Sequence, residues 1–348
     1  MNLKENSAVI KGLEQLQKIL SELSRRIVII THYNPDGDAI GSTLGLQIAL
    51  TKAGHTCSVI TPNDYPGFLK WLPGAEKIII LPGNEARVAK LIQSSDIIFF
   101  LDFNDIRRMK EISEPVSRSS AFTVLFDHHP DPVVIADCML SDTAVSSTAE
   151  LVYRFIEGTG LNKSMDRDIA ACLFVGIMTD TGCFSYNSSL PKTYTIVADL
   201  LQCGIDKDQI YYRIYDNFSC DRMRLLGFCL NDRMEFFPEC RTALIWLDRK
   251  DQEKYHFETG DSEGFVNYPL SIKGVRFSAF FIEKEDHVKV SFRSKGNFPV
   301  NTFSATYFNG GGHRNASGGE SYETLKATLE KFRGLLPQYR DELNNYDG

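Results

Sequence analysis

The chain has 348 residues, with 38 Lys and Arg against 45 Asp and Glu and a formal net charge of −7. At roughly 100–200 residues per domain, this length predicts two domains, each with a real core. The acidic balance excludes coating of long nucleic acid by bulk charge and leaves room for a short nucleotide in a local basic pocket. No apolar run reaches the roughly 18–20 residues of a membrane helix. Met1–Ser7 has no apolar signal core, so a cytoplasmic protein without a membrane partner is expected. Eight Cys, none in a CxxC pair, read as reduced thiols.

In chain order, Lys11–Leu23 has apolar positions at helical spacing, and Ile27–Thr31 is a short β-branched run that reads as a buried strand. Ala39–Ala53 reads as a helix stopped by Gly54. Cys57–Thr61, Lys77–Leu81, Asp96–Asp102 and Phe122–Asp127 read as strands, with a helix at Glu85–Gln93. Near-continuous apolar strands alternating with helices imply a parallel sheet covered on both faces. Helices are expected at Ala144–Glu157 and Met165–Met178, with Ser147 and Glu150 spaced as a capping box. Tyr186–Lys192 is a polar break, followed by a helical connector from Thr193 to about Leu230. Beyond it, Met234–Phe237, Thr242–Trp246, Val275–Glu283 and His287–Arg293 read as strands, and Val300–Phe308 and Thr324–Phe332 as helices. The fold class is therefore α/β: a parallel-sheet N-terminal domain with helices on both faces, joined by a helical connector to a smaller α+β domain. The expected bounds are 1–190, 191–230 and 231–348.

The strongest chemical signal follows the first strand, where His32, Asp36 and Asp38 lie within seven residues. One Asp alone there reads as a turn or N-cap residue. Three further segments end in the same chemistry: Asp102, Asp127-His128-His129, and Asp180 after the Met165–Met178 helix. If the strands are parallel neighbours, these side chains share the carboxyl edge of the sheet, where ligands of open α/β sheets collect. Carboxylates mixed with imidazoles suit Mn²⁺, and Mg²⁺ less well. Arg107 and Arg108 read as residues of an exposed helix. Between Lys273 and Arg314 seven basic residues face three acidic ones, an excess that suits a phosphate-bearing ligand. Gly310-Gly311-Gly312 precede His313 and Arg314. Such a run alone is most often a turn or helix end, but it can also cradle a phosphate with backbone N–H groups.

Taken together, these motifs resemble the DHH phosphoesterase superfamily, named for the triplet present as Asp127-His128-His129. The HxxxDxD element (His32, Asp36, Asp38), the lone Asp102, Asp180, and the Gly310–Gly319 signature of a C-terminal DHH-associated domain extend the resemblance over nearly the whole chain. The nanoRNase/pAp-phosphatase branch is the most similar. The resemblance implies two divalent ions, Mn²⁺ first and Mg²⁺ or Co²⁺ as alternatives. His32, Asp36 and Asp102 would hold one, and Asp38, Asp102, His128 and Asp180 the other. Four Asp and two divalent ions sum to near neutrality, so further positive or hydrogen-bonding groups are needed for a phosphate.

His129, Arg293 and His313 are the candidates, with Gly310, Gly311, Gly312 and Arg314 beside them and Asp127 as a carboxylate orienting a His. The implied activity is hydrolysis of short oligoribonucleotides to mononucleotides, or of the 3′-phosphate of pAp. Alternatives are a cyclic- or linear-dinucleotide phosphodiesterase, an exopolyphosphatase, or a nucleotide-binding sensor that kept the fold. A homodimer is left open.

Overall fold

The computed structural model describes residues 9–130, 132–133, 136–161 and 165–345, and the chain divides into two compact units between Asn217 and Phe218. The N-terminal unit begins with strand β1 (Val9–Lys11), helix α1 (Leu13–Glu22), strand β2 (Arg26–Ile30), helix α2 (Gly37–Lys52) and strands β3 (Thr56–Thr61) and β4 (Ile79–Ile80). Then come α3 (Glu85–Ser94), β5 (Ile97–Leu101), α4 (Ser113–Ser117), β6 (Phe122–Asp127) and β7 (Cys138–Ser141). Helices α5 (Thr148–Gly158), α6 (Arg167–Asp180), α7 (Pro191–Gln202) and α8 (Lys207–Tyr215) complete it.

The strands form one sheet in the order β1-β7-β6-β5-β2-β3-β4. All neighbours are parallel except β1, which joins β7 antiparallel at the edge. Strand β2 shows why the apolar runs are unbroken. Ile27 and Ile29 enter the layer that holds Leu44 of α2, Phe155 of α5 and Leu173 of α6. Val28 and Ile30 enter the opposite layer with Val88 and Ile92 of α3 and Val116 of α4. Past the exposed Arg26 at its start, a strand covered on both faces has no position for a polar side chain.

The ladder pairs Ile30 with Phe100 and Leu101 with Phe126. The loops after β2, β5 and β6 therefore leave the sheet at one level.

The structure adjusts several expected elements. The expected helix at Lys11–Leu23 starts only at Leu13, because Gly12 turns the chain out of β1 at φ 72°. Of the expected strand Lys77–Leu81, only Ile79–Ile80 pairs. Helix α5 begins at Thr148 rather than Ala144, since the Ser147 hydroxyl caps it by accepting the Glu150 N–H at 3.2 Å. The box is half formed: the Glu150 carboxylate turns to Ser146, accepting its hydroxyl at 2.7 Å. Strands β1 and β7 were not expected; at three and four residues they are too short for a periodicity signal.

Helices α2 and α6 approach closely through glycine. A Cβ on Gly41 would lie 2.5 Å from the Cys172 carbonyl oxygen, and one on Gly176 would lie 2.6 Å from the Ala149 Cβ and 2.8 Å from Asp38 Oδ1. This packing brings the start of α2, the start of α5 and the end of α6 together; α2 and α6 carry Asp36, Asp38 and Asp180 there, and α5 supplies donors to Asp38.

The C-terminal unit contains α9 (Cys220–Asp232), β8 (Met234–Phe237), β9 (Thr242–Leu247), α10 (Arg249–Lys254), β10 (Phe277–Glu283), β11 (Val288–Ser294) and α11 (Val300–Tyr307). It ends with β12 (Gly311–His313), β13 (Ala316–Ser321), α12 (Leu325–Leu335) and α13 (Arg340–Asn344). Its sheet runs β12-β13-β11-β10-β9-β8, with β9 and β10 parallel and the other pairs antiparallel. Phe277, Phe281 and Phe292 pack with Phe303 of α11 and Phe332 of α12. Phe280 and Ile282 pack on the other face with Leu225 and Leu226 of α9. The segment expected as connector is α7, α8 and most of α9, and the units divide between α8 and α9. No described helix is long and apolar enough to cross a membrane, and all eight Cys are free thiols.

Two glycines in helices test the packing in opposite directions. Gly176→Ala is expected to destabilise the protein by about 1–3 kcal/mol, because the new methyl overlaps Ala149 and Asp38. Gly227→Ala in α9 has open space around the added Cβ and is expected to stabilise by about 0.4–1 kcal/mol. Urea unfolding of both variants checks the pair; equal effects would remove the close-approach reading.

Candidate active site

The loop after β2 supplies His32 and Asp36. The His32 Nδ1 lies 2.9 Å from the Tyr33 carbonyl oxygen. A carbonyl only accepts, so Nδ1 carries the proton and Nε2 presents a lone pair. Burial, then the nearby Arg108 charge, push the His32 pKa down to about 4, so the ring is neutral at neutral pH. Asp36 is the N-cap of α2: its Oδ1 accepts the N–H groups of Asp38 and Ala39, each at 3.1 Å. The cap and ligand readings are compatible, because a carboxylate has lone pairs beyond those a cap uses.

Asp38 is not a cap of its own helix. Its carboxylate is buried and accepts the N–H groups of Thr148 at 2.6 Å and Ala149 at 2.9 Å, the first turn of α5. A helix N-terminus favours a negative charge there. Asp102, one residue past β5, adopts a left-handed φ of 67°, a strained conformation for a residue with a Cβ. Its N–H donates to the Phe126 carbonyl at 3.1 Å, and its Oδ1 accepts the Thr148 hydroxyl at 3.0 Å.

These groups then converge. Asp102 Oδ2 is 3.5 Å from His32 Nε2, and Asp102 Oδ1 is 3.6 Å from His128 Nε2. His128 Nε2 also lies 3.6 Å from Asp180 Oδ2 and 3.8 Å from Asp38 Oδ2. The two oxygens of Asp102 thus face two different imidazoles. His32, Asp36 and Asp102 each offer an atom within 4.8 Å of the others, as do Asp38, Asp102 and His128.

Asp127 and His129 form a pair beside this cluster, with His129 Nδ1 3.9 Å from Asp102 Oδ1. Asp127 Oδ1 is 2.7 Å from His129 Nδ1, so the carboxylate orients the ring. Burial pushes the Asp127 pKa up to about 6 and that of His129 well below its usual value, the latter with help from Arg108.

Arg108 departs from expectation. Arg107 is exposed and paired with Asp105, but Arg108 turns inward, its Nη1 3.5 Å from His129 Nε2. The segment Ile106–Ile112 is two 3₁₀ turns broken at Lys110 (φ 50°), and in the first of them successive side chains point about 120° apart, so adjacent arginines face different surroundings. Sequence reasoning also missed Thr148, which touches both Asp38 and Asp102; the Ser-Ser-Thr run that contains it read only as a cap.

The donor set fits divalent metal. The converging N and O atoms stand 3.5–3.8 Å apart, at or beyond the outer limit of a hydrogen bond. Atoms about 2.1 Å from one shared ion lie roughly 3–4 Å from each other. Burial and mutual repulsion with Asp180 and Asp36 push the Asp38 and Asp102 pKa values well above the carboxylate range. A buried acidic cluster with neutral imidazoles is short of positive charge, which two divalent ions supply.

In the C-terminal unit most of the glycine run pairs as a strand. Gly311–His313 is an edge strand, β12, paired antiparallel with β13. Gly310 and Gly312 are required by the hairpin itself. A Cβ on Gly310 would meet Gly318 O at 2.0 Å and Ser304 Oγ at 2.1 Å, and Gly312 has φ 134°. Gly311 faces open space. Arg314 donates through Nε and Nη2 to the Asn297 carbonyl, and Arg293 Nη1 donates to the Phe292 carbonyl.

Protons and metal compete for this site. A raised Asp127 pKa makes the metal-free fold lose stability as pH rises from about 3.8 to about 6; the lowered His32 pKa returns stability as pH rises from about 4 to 6.5. These slopes oppose each other, but both His and Asp ligands bind metal only when unprotonated. The rise in melting temperature on adding Mn²⁺ is therefore expected to be larger at pH 7.5 than at pH 5; an equal or smaller rise would overturn the ligand set. Thr148→Val removes the hydroxyl bond to Asp102 and keeps both N–H bonds to Asp38. It is expected to weaken metal binding roughly 10-fold in a titration; unchanged affinity would leave the Thr148 hydroxyl without a role at the ligands.

Comparison with known proteins agrees with this geometry. Residues 26–177 match the model of the DHH family, N-terminal domain, and residues 250–340 that of the DHHA1 domain. The chain is 30% identical to the bifunctional oligoribonuclease and PAP phosphatase NrnA of Thermus thermophilus, over 94% of this chain and 93% of that protein. It is 27% identical to the Bacillus subtilis protein of the same name, over 85% and 89%. The crystal structure of an exopolyphosphatase-related protein from Bacteroides fragilis superposes with a TM-score of 0.91 at 42% identity, covering 97% of this chain and 99% of that one. The paired metal-ligand clusters and both domain matches converge: the chain belongs to the DHH family and is a metal-dependent phosphoesterase.

Proposed function

We propose that the chain hydrolyses short oligoribonucleotides to mononucleotides and removes the 3′-phosphate of pAp. The observation that carries the phosphoesterase chemistry is Asp102, whose two oxygens face His32 on one side and His128 on the other. The substrate reading draws on the names of the curated relatives, which share 27–30% identity over 85–94% of the chain.

His32, Asp36 and Asp102 would hold one divalent ion, and Asp38, Asp102, His128 and Asp180 the other, with Mn²⁺ the preferred metal. Such ions supply Lewis-acid charge to a phosphoryl oxygen and lower the pKa of water. The protein's own groups do the rest. The first turn of α5 and the Thr148 hydroxyl hold Asp38 and Asp102 in place before substrate arrives. Asp127 fixes the His129 ring, whose Nε2 lies beside the Arg108 guanidinium, and His129 is assigned to the phosphoryl or leaving group. In the C-terminal unit, Arg293, Gly310–Gly312, His313 and Arg314 are assigned to substrate contact. Gly311 is the best placed of the glycines, since its backbone is the one with open space beside it.

A second reading is exopolyphosphatase. It is favoured by the Bacteroides fragilis protein, whose 42% identity exceeds that of the curated relatives. Polyphosphate and a short nucleotide share the terminal phosphoryl group and differ in what lies behind it.

A panel with Mn²⁺ separates the readings: an RNA of a few nucleotides, a long RNA, pAp, a cyclic dinucleotide, linear polyphosphate and pyrophosphate. Mononucleotide release from the short RNA and phosphate release from pAp are expected, with little action on long RNA. Turnover of polyphosphate alone would replace the nucleotide reading, and binding of pAp without turnover would favour a sensor. Asp102→Ala is expected to remove both metals and lower turnover by at least 1000-fold, roughly the scale of losing a catalytic metal centre; near-native turnover would withdraw the bridging role.

A further inference from the structure

We propose that Arg108 binds the substrate's phosphoryl oxygens within the N-terminal unit; the assignment rests on the phosphoesterase reading above and adds a cation to it. Its surroundings differ from those of the ion-paired arginines of this unit, and its charge lies beside the ligand cluster. Arg26, Arg107, Arg118 and Arg154 each lie within 4.0 Å of a carboxylate. Among the described residues no carboxylate lies that close to the Arg108 guanidinium. Its Nη1 lies 3.5 Å from His129 Nε2, at the outer limit of a hydrogen bond.

The residue is nevertheless close to the acids. Its charge acts on His32, Asp36, Asp102, Asp127 and His129 alike. A guanidinium serving only as a structural counter-ion would close onto one carboxylate, as Arg26 does on Asp96 at 2.9 Å. Arg108 instead faces the cluster and keeps a fork of N–H donors uncommitted to any carboxylate. That fork matches two oxygens of a phosphoryl group, which an ammonium cannot do.

The backbone holds Arg108 in this position. Its carbonyl accepts the Tyr33 N–H at 2.7 Å, and its N–H donates to the Asp105 carbonyl at 3.0 Å. The Asp105 side chain caps the same turn by accepting the Arg107 N–H at 2.9 Å. The turn therefore ties Arg108 to the His32 loop on one side, while its side chain reaches the His129 ring that Asp127 orients. The charge balance requires such a group. Four ligand Asp and two divalent ions leave no net charge for an incoming oxyanion, and Arg108 adds one positive charge beside them.

The test is calorimetric titration of inorganic phosphate into Mn²⁺-loaded protein, with metal content and steady-state kinetics measured on the same samples. Arg108→Gln is expected to keep two metals per chain, weaken phosphate binding by about 10-fold or more, and lower kcat/KM by roughly 100-fold, the scale of losing one oxyanion donor. Arg108→Lys, which keeps the charge and loses the fork, is expected to fall between it and the wild type. Arg107→Gln, one residue away and exposed, is expected to match the wild type. Unchanged phosphate affinity in Arg108→Gln would overturn the assignment. Loss of metal in both Arg108 variants would also overturn it, making Arg108 an organiser of the ligands. If the wild type hydrolyses nothing in the panel yet its phosphate affinity depends on Arg108, the substrate reading fails and this assignment stands. If turnover is normal and Arg108→Gln matches the wild type, this assignment fails alone.

Discussion

Asp38 and Asp102 are buried acids that repel each other, and the N-terminal unit is organised around holding them side by side. Without cations the arrangement is unfavourable, which is why both carboxyl groups have raised pKa values. The fold offsets part of that cost with directed dipoles. The first turn of α5 gives Asp38 two backbone N–H groups, and the Thr148 hydroxyl on the same turn reaches Asp102. The remainder is electrostatic demand for divalent metal. A site that stays organised through packing and backbone bonds binds its ions without refolding around them.

The packing behind the acids explains their stability in position. Glycines at 41 and 176 let α2 and α6 approach until a methyl group would not fit, and this sets the start of α2 against the end of α6. The parallel ladder fixes the level at which β2, β5 and β6 end, and so the level of His32, Asp102 and His128. Asp102 accepts a left-handed backbone at that point, a strain the ladder bond to Phe126 holds in place. Outside the ligand cluster, the Asp127–His129–Arg108 series carries orientation from a buried carboxylate to a cation. The first group is negative, the last positive, and the ring between them is neutral.

Much of this was legible from residue order. The strands β2, β3, β5 and β6 were legible because a sheet covered on both faces leaves unbroken apolar runs, and the acids at their ends stood out because chemistry collects there. Asp36 showed that two readings of one residue can hold together, cap and candidate ligand. Other features left no such trace. Strands β1 and β7 are too short for a period, and β12 is mostly glycine, whose lack of a side chain reads as a turn whether the backbone bends or pairs. Arg108 looked like its neighbour Arg107, since two adjacent basic residues are indistinguishable until a 3₁₀ turn points them in different directions. Thr148 was hidden inside a capping pattern that explained it well enough.

By itself the sequence determined the α/β class, the alternation of buried strands and helices, and the inventory of His and Asp at strand and helix ends. Those follow from periodicity and from the chemistry of residue types, both of which are local. Only the tertiary structure decided that Asp38 is held by a different helix from its own, that Asp102 turns one oxygen to each of two imidazoles, that the Gly310–Gly312 run pairs as a strand, and that Arg108 points inward. All but the glycine hairpin depend on groups from 21 to 110 positions apart meeting at 2.6–3.6 Å, and that is fixed by packing between elements, which no local pattern encodes.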